Sequence, residues 1–141
     1  MTADSQLAVQ SAVLAALQGA PALTALLADG AGGVYDSVPA ESAYPYVVIG
    51  EATAVPGEAD SKDADVMEQT LTLHTWSRYL GLAEAKQIMA AVVAALDQAN
   101  LSISGHSLVL LRFEFSSTFL DPDGLTRHGV QRFRVITQQT A

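Results

Sequence analysis

Residues 108–136 read LVLLRFEFSSTFL, then DPDG, then LTRHGVQRFRVI. Two long alternating segments, Leu108 to Leu120 and Leu125 to Ile136, flank the tetrapeptide Asp121-Pro122-Asp123-Gly124. Proline suits the second position of a tight turn, glycine tolerates positive φ, and aspartate favours the flanks, so this pattern predicts a large β-hairpin. On the rule that alternate residues share a face, Val109, Leu111, Phe113 and Phe115 fall on one side, where Phe133 and Val135 of the returning strand can join them. The other side carries Arg112, Glu114, Arg132 and Arg134. With Arg127, four of the chain's seven Lys/Arg residues lie in this hairpin, although the whole chain has a formal charge of -8. A sheet so polar on one face expects a partner.

Outward from the hairpin, apolar spacing defines the remaining elements. Leu7, Val9, Val13, Leu14 and Leu17 predict a first helix over Ser5 to Gln18, with Asp4 or Ser5 placed to cap it. Pro21 suits the first position of a short second helix that ends at Asp29-Gly30, and Gly30 to Gly33 reads as a flexible connection. Tyr46 to Glu51 reads as a buried strand. Residues 54–64 read as a mobile loop, and this stretch with its edges holds Glu51, Glu58, Asp60, Asp63, Asp65 and Glu68 against the single Lys62. Met67 to Trp76 alternates as a half-buried strand, Leu71 and Leu73 opposite Thr70, Thr72 and His74. Leu82, Ala85, Met89, Val92, Leu96 and Ala99 form a helical stripe over Gly81 to Ala99, and Leu101 to Ser104 a short strand. The expected fold is one α/β (α+β) domain over 1–141, a mainly antiparallel sheet with helices packed on one face.

Composition narrows the function classes. A hydrophobic fraction of 50% with 16% charged residues describes a globular chain, and the absence of cysteine removes disulfides, thiol nucleophiles and thiolate metal sites together. The first positive side chain is Lys62, so the amino terminus lacks the basic region of a signal peptide. Ser5 to Ala28 is uncharged but interrupted by Gln6, Gln10, Gln18, Gly19 and Pro21, which argues against a membrane span. The acidic balance argues against a surface built to grip phosphates. His74, His106 and His128 have no paired ligand spacing, and Asp121 with Asp123 reads as turn chemistry rather than a calcium loop, so no metal or cofactor is expected. No serine sits in a nucleophile-elbow motif, and no catalytic residue is assigned.

Three segments, taken in order, carry a family resemblance: Val34-Tyr35-Asp36-Ser37-Val38-Pro39 running into Tyr44-Pro45-Tyr46-Val47; Leu71-Thr72-Leu73-His74-Thr75-Trp76-Ser77-Arg78 followed by Glu84-Ala85-Lys86; and Asp121 to Val130. The chain resembles the tail terminator or tail completion proteins of long-tailed phages and gene transfer agents, the latter type above all. That resemblance implies a non-enzymatic virion protein assembling as a ring, a hexamer, at the head-proximal end of the tail tube. It implies contacts with itself, the tail tube protein and a head connector or stopper protein, with DNA passing through the lumen without sequence-specific binding. Assembly in the bacterial cytoplasm is implied too. A head-completion or neck protein of the same particle, or a small ligand-binding or enzymatic α/β domain, are the alternatives.

In a ring each subunit shows its neighbours two different patches, so an acidic patch can meet a basic one. The candidate intersubunit surface pairs Glu58, Asp60, Asp63, Asp65 and Glu68 with Arg112, Arg132 and Arg134 of the next copy, Glu114 lying beside them. Cross-strand pairing within one subunit, Glu114 with an opposing arginine, is the other reading of the same residues. The acidic loop could also order only on docking, and could keep DNA from sticking in the lumen.

Overall fold

The computed structural model describes residues 4–57 and 65–140. Helix α1 spans Gln6–Gln18 and the short α2 spans Pro21–Thr24, followed by a 3-10 turn over Gly30–Gly33. Strands β1 (Val34–Tyr35), β2 (Tyr46–Pro56) and β3 (Val66–Ser77) precede helix α3 (Ala83–Leu96), and β4 (His106–Leu120) and β5 (Arg127–Gln139) complete the chain. The five strands make one sheet in the order β1-β2-β3-β5-β4. Every pairing is antiparallel except that of β1 with β2.

Alternation gives this sheet two unlike faces. Along β3, Gln69, Leu71, Leu73, Thr75 and Ser77 are buried, while Glu68, Thr70, His74 and Trp76 remain half-exposed. The helices cover the first of these faces: Val9, Val13 and Leu17 of α1 and Ile88, Val92 and Leu96 of α3 join Leu71, Leu73, Leu111, Phe133 and Val135 in one core. Each such side chain contributes about 1.5–3 kcal/mol by leaving water. Gly129 lets α3 settle closely on β5, since a Cβ there would lie 2.4 Å from the Met89 sulfur. Gln131 fixes the same contact by donating its side-chain N–H to the Met89 carbonyl at 3.0 Å.

Several boundaries differ from the periodicity reading, each for a local reason. β2 runs on to Pro56, so Ala54, Val55 and Pro56 belong to a strand rather than to the loop; they pair with Gln69, Glu68 and Met67. Val48 of that strand faces away from the core between buried Val47 and Ile49. Residues 101–104 form no strand, only an isolated bridge between Ile103 and His106. Gly30 to Gly33 is a 3-10 turn with Gly33 against Leu27, not a free connection. α3 stops at Leu96, because Gln98 takes a φ of 58° and gives its N–H to the Leu111 carbonyl. Leu7, expected in the core stripe of α1, is 75% exposed, and Ile88, outside the expected stripe, is fully buried.

The largest correction lies inside the hairpin. β4 carries two bulges, between Leu108 and Leu110 and between Phe113 and Phe115, leaving Val109 and Glu114 without partners in the register. Each extra residue reverses the facing of the strand beyond it. Leu111 and Phe113 stay with the core, but Val109 is 58% exposed and Phe115 turns to the open face.

Candidate functional site

The open face of the sheet collects the residues singled out in the sequence. Register sets them in rows: Trp76, His128 and Phe119; His74, Val130 and Ser117; Thr72, Arg132 and Phe115; Thr70, Arg134 and Arg112. Directly opposed residues of antiparallel neighbours share a face, so all of these point away from the helices. Of the expected acidic and basic partners, the arginines Arg112, Arg132 and Arg134 do come together. Glu58, Asp60 and Asp63 lie outside the described residues.

Each charged side chain on this face has a distinct setting. Arg134 is ion-paired and hydrogen-bonded to Glu68 of the same chain, which raises the guanidinium pKa above its ordinary value. The pair crosses from β5 to β3, so one arginine of the expected intersubunit set is already partnered within the subunit. Arg132 lays its guanidinium over the Phe115 ring at 4.8 Å, a cation–π contact made possible by the second bulge. Arg112 and Glu114 are exposed. Asp65 is half-buried just before β3, and its backbone carbonyl accepts the Gln139 N–H at 2.9 Å.

Beside the arginines runs a chain of hydrogen bonds that sequence spacing did not disclose. Glu51 Oε1 lies 2.7 Å from His74 Nε2, and His74 Nδ1 lies 2.7 Å from His128 Nε2. The bulge at Gly50 and Glu51 turns the carboxylate towards the ring, and Gly50 leaves the room: a Cβ there would stand 2.6 Å from the His74 ring. Trp76 stacks on His128 with centroids 3.8 Å apart, and Phe119 meets the same imidazole edge-on at 5.0 Å. The His74 hydrogen bond, followed by a bond to its own backbone, lowers the Glu51 pKa. Burial, then the neighbouring His74, lowers that of His128. The cluster depends on β3–β5 register, which brings together residues 54 positions apart. His106 stands elsewhere, at the start of β4.

The hairpin tip is organised by Asp123. Its carboxylate accepts the N–H groups of Leu125 and Thr126 at 2.8 and 2.7 Å and the Thr126 hydroxyl at 2.6 Å, and these bonds lower its pKa to about 2. Gly124 supplies a φ of 71°. Arg78 reaches Thr126 with Nε at 3.2 Å and lies over the Tyr44 ring at 4.3 Å, tying the tip to the start of β2. Tyr44 also packs against Tyr46, whose hydroxyl is pushed up to about 12 by burial and by Tyr44 beside it. Chemically the face offers cations, aromatic rings and a histidine pair. Among the described residues no group of three or more His, Cys, Asp or Glu is arranged to hold a metal ion, and no helix is long and apolar enough to cross a membrane.

Comparison with known proteins agrees with this architecture. The family model for tail completion protein gp17 matches residues 11–138. Tail completion protein gp17 of Bacillus phage SPP1 is 32% identical over 101 residues, 72% of this chain and 73% of that protein. A chain in the virion of a native gene transfer agent particle superposes with a TM-score of 0.85 at 27% identity, covering 97% of this chain and 99% of its own length. The solved structure of bacteriophage SPP1 gp17 has a TM-score of 0.59 at 28% identity, with 92% and 88% covered. The match along nearly all of the sheet and helices decides the assignment: the chain belongs to the tail completion protein gp17 family.

Proposed function

We propose that this protein is a structural subunit of a phage-like particle, assembling as a ring, a hexamer, at the head-proximal end of the tail. The ring presents one face that matches the last tube ring and another that does not repeat it, so tube growth stops there and the head connector docks. DNA passes through the lumen without base recognition, and assembly takes place in the bacterial cytoplasm. The observation that supports this reading most is the likeness, over 97% of the chain, to a protein of a gene transfer agent virion.

The mechanism is steric and interfacial rather than catalytic. Arg112 and Arg132 are the cations of the open face best placed to meet acidic residues of a neighbouring copy, drawn from Glu58, Asp60, Asp63 and Asp65, because Arg134 is engaged with Glu68 internally. Native mass spectrometry with negative-stain imaging of the purified chain tests the ring. A closed six-membered ring is the expected species. For the charge pairing, Arg112→Glu with Arg132→Glu should weaken assembly, and unchanged ring formation would remove that face from the interface.

A further inference from the structure

Among the described residues two stretches of strand edge are bare, and they lie at opposite sides and opposite ends of the sheet. On β4 the outer edge is covered at its middle, where Gln98 N–H donates to the Leu111 carbonyl and the Phe113 N–H donates to Asp97 Oδ1 at 2.9 Å. From Phe115 to Leu120 that edge has no backbone partner among the described residues. Among the described residues β2 is covered by β1 only at Val47 and Val48, which leaves Glu51 to Val55 without a backbone partner on that side up to Pro56, a residue with no N–H to give. Proteins ordinarily blunt such edges with charge, and residues 115–120, FSSTFL, carry none.

We propose that β4 of one copy pairs with β2 of the next through these two bare stretches, continuing the sheet from subunit to subunit. The inference rests on the reading that the protein self-associates, and names the surface by which it does so. β2 and β5 run antiparallel to β3 and β4 runs antiparallel to β5, so a β2 added beyond β4 meets it antiparallel. Matching the centres of the two stretches sets Ser117 opposite Thr53, and therefore Phe115 opposite Val55 on the same face. A hydroxyl pair and an aromatic with a β-branched residue are favourable cross-strand partners. Phe115 and Val55 are 42% and 54% exposed in the single chain, and this register covers both. The facing residues on the helix side, Ser116 with Ala54 and Thr118 with Ala52, are small.

The pairing also fixes a step along the strands. Ser117 stands level with Val48 of its own chain through Val130 and His74, and Thr53 lies four ladder positions further along β2, the bulge at Gly50 and Glu51 taking up the fifth residue. Joining Ser117 to Thr53 of the next copy therefore shifts each subunit by about 14 Å along the strands for about 19 Å across the four strand spacings from one β2 to the next. That ratio is a strand tilt of about 35°, at the edge of the range in which sheets close on themselves. Head-to-tail contacts between unlike patches are the kind that form rings.

The chain has no cysteine, which permits a direct test. Opposed residues on adjacent antiparallel strands bring their Cα atoms to about 4.5–5.5 Å, within disulfide reach. Ser117→Cys and Thr53→Cys are made as separate full-length variants, checked for native circular dichroism, and oxidised alone and mixed. Cross-linked dimers in the mixture and none from either variant alone are expected, with the double variant yielding a ladder of covalent oligomers. Dimers from Ser117→Cys alone would mean β4–β4 pairing and overturn the proposal. Oligomers seen by native mass spectrometry with no cross-link in the mixture would also overturn it, while leaving self-association intact; a monomer at all concentrations, likewise without cross-link, would count against both.

Discussion

The indole of Trp76 lies flat on the imidazole of His128, centroids 3.8 Å and planes 12° apart, and that imidazole is hydrogen-bonded to His74 at 2.7 Å. Trp76 is the chain's one tryptophan. A fluorophore is thus stacked on a titratable ring.

His128 in the folded chain titrates below its ordinary value of 6.5, because burial and then His74 disfavour its charge, against the weaker pull of Asp121 and Glu51. The unfolded chain then binds the proton more readily. The stability from His128 is complete above pH 6.5 and is lost as pH falls through the lower folded value. Trp76 emission should fall in the same window, since a protonated imidazole quenches a stacked indole. His128→Phe keeps a ring against Trp76 and should flatten both profiles; identical pH curves for the two proteins would exclude His128 as their cause.

Two phenylalanines of the hairpin should behave differently. Phe133 is fully buried and packs against Phe113 at 5.6 Å, so Phe133→Ala should cost about 3–5 kcal/mol in denaturant unfolding. Phe115 sits on the open face beneath Arg132, and Phe115→Ala should cost about 1 kcal/mol or less. Equal losses would mean that the second bulge does not reverse the strand.

Gly50→Ala probes the space beside His74. The added Cβ would stand 2.6 Å from the ring and 3.1 Å from the Thr72 carbonyl, so ring or strand must give way. A loss of about 1–3 kcal/mol is expected from overpacking. The His74–Glu51 hydrogen bond should break with it, and NMR titration of Glu51 should show its pKa moving up towards the ordinary 4.5. An unmoved Glu51 titration would show that the carboxylate does not depend on this geometry.

At the hairpin tip, Asp123→Ala removes the acceptor of two backbone N–H groups and the Thr126 hydroxyl. Amide exchange at Leu125 and Thr126 should accelerate while β3 and the core of β5 stay protected. In the unaltered protein this support is present above pH 3.8 and is lost as pH falls through the folded value of about 2. Exchange that is unaffected by the substitution would assign the turn's order to Pro122 and Gly124 alone.

Much of the fold was readable because hydrophobic period and turn chemistry are local. The Asp-Pro-Asp-Gly turn, the alternation of β3 about Leu71 and Leu73, and the α3 stripe through Ala85, Met89, Val92 and Leu96 each depend on a few neighbouring residues, and the structure places all of them as expected. The extension of β2 to Pro56 was hidden, since Ala-Val-Pro beside an acidic run resembles a loop until Gln69, Glu68 and Met67 are set opposite it. Bulges left no mark either. Nothing in Arg-Phe-Glu-Phe announces that Glu114 is the extra residue.

The sequence by itself determined the strand-turn-strand hairpin, the one-sided helix cover and the clustering of arginine on β4 and β5, since these depend on spacing within a single segment. Only the tertiary structure decided which face Phe115 takes, that Arg134 is matched by Glu68, and that Glu51, His74 and His128 form one chain beside Trp76. Those outcomes depend on register between strands distant in sequence, where a shift of one residue exchanges the two faces of the sheet.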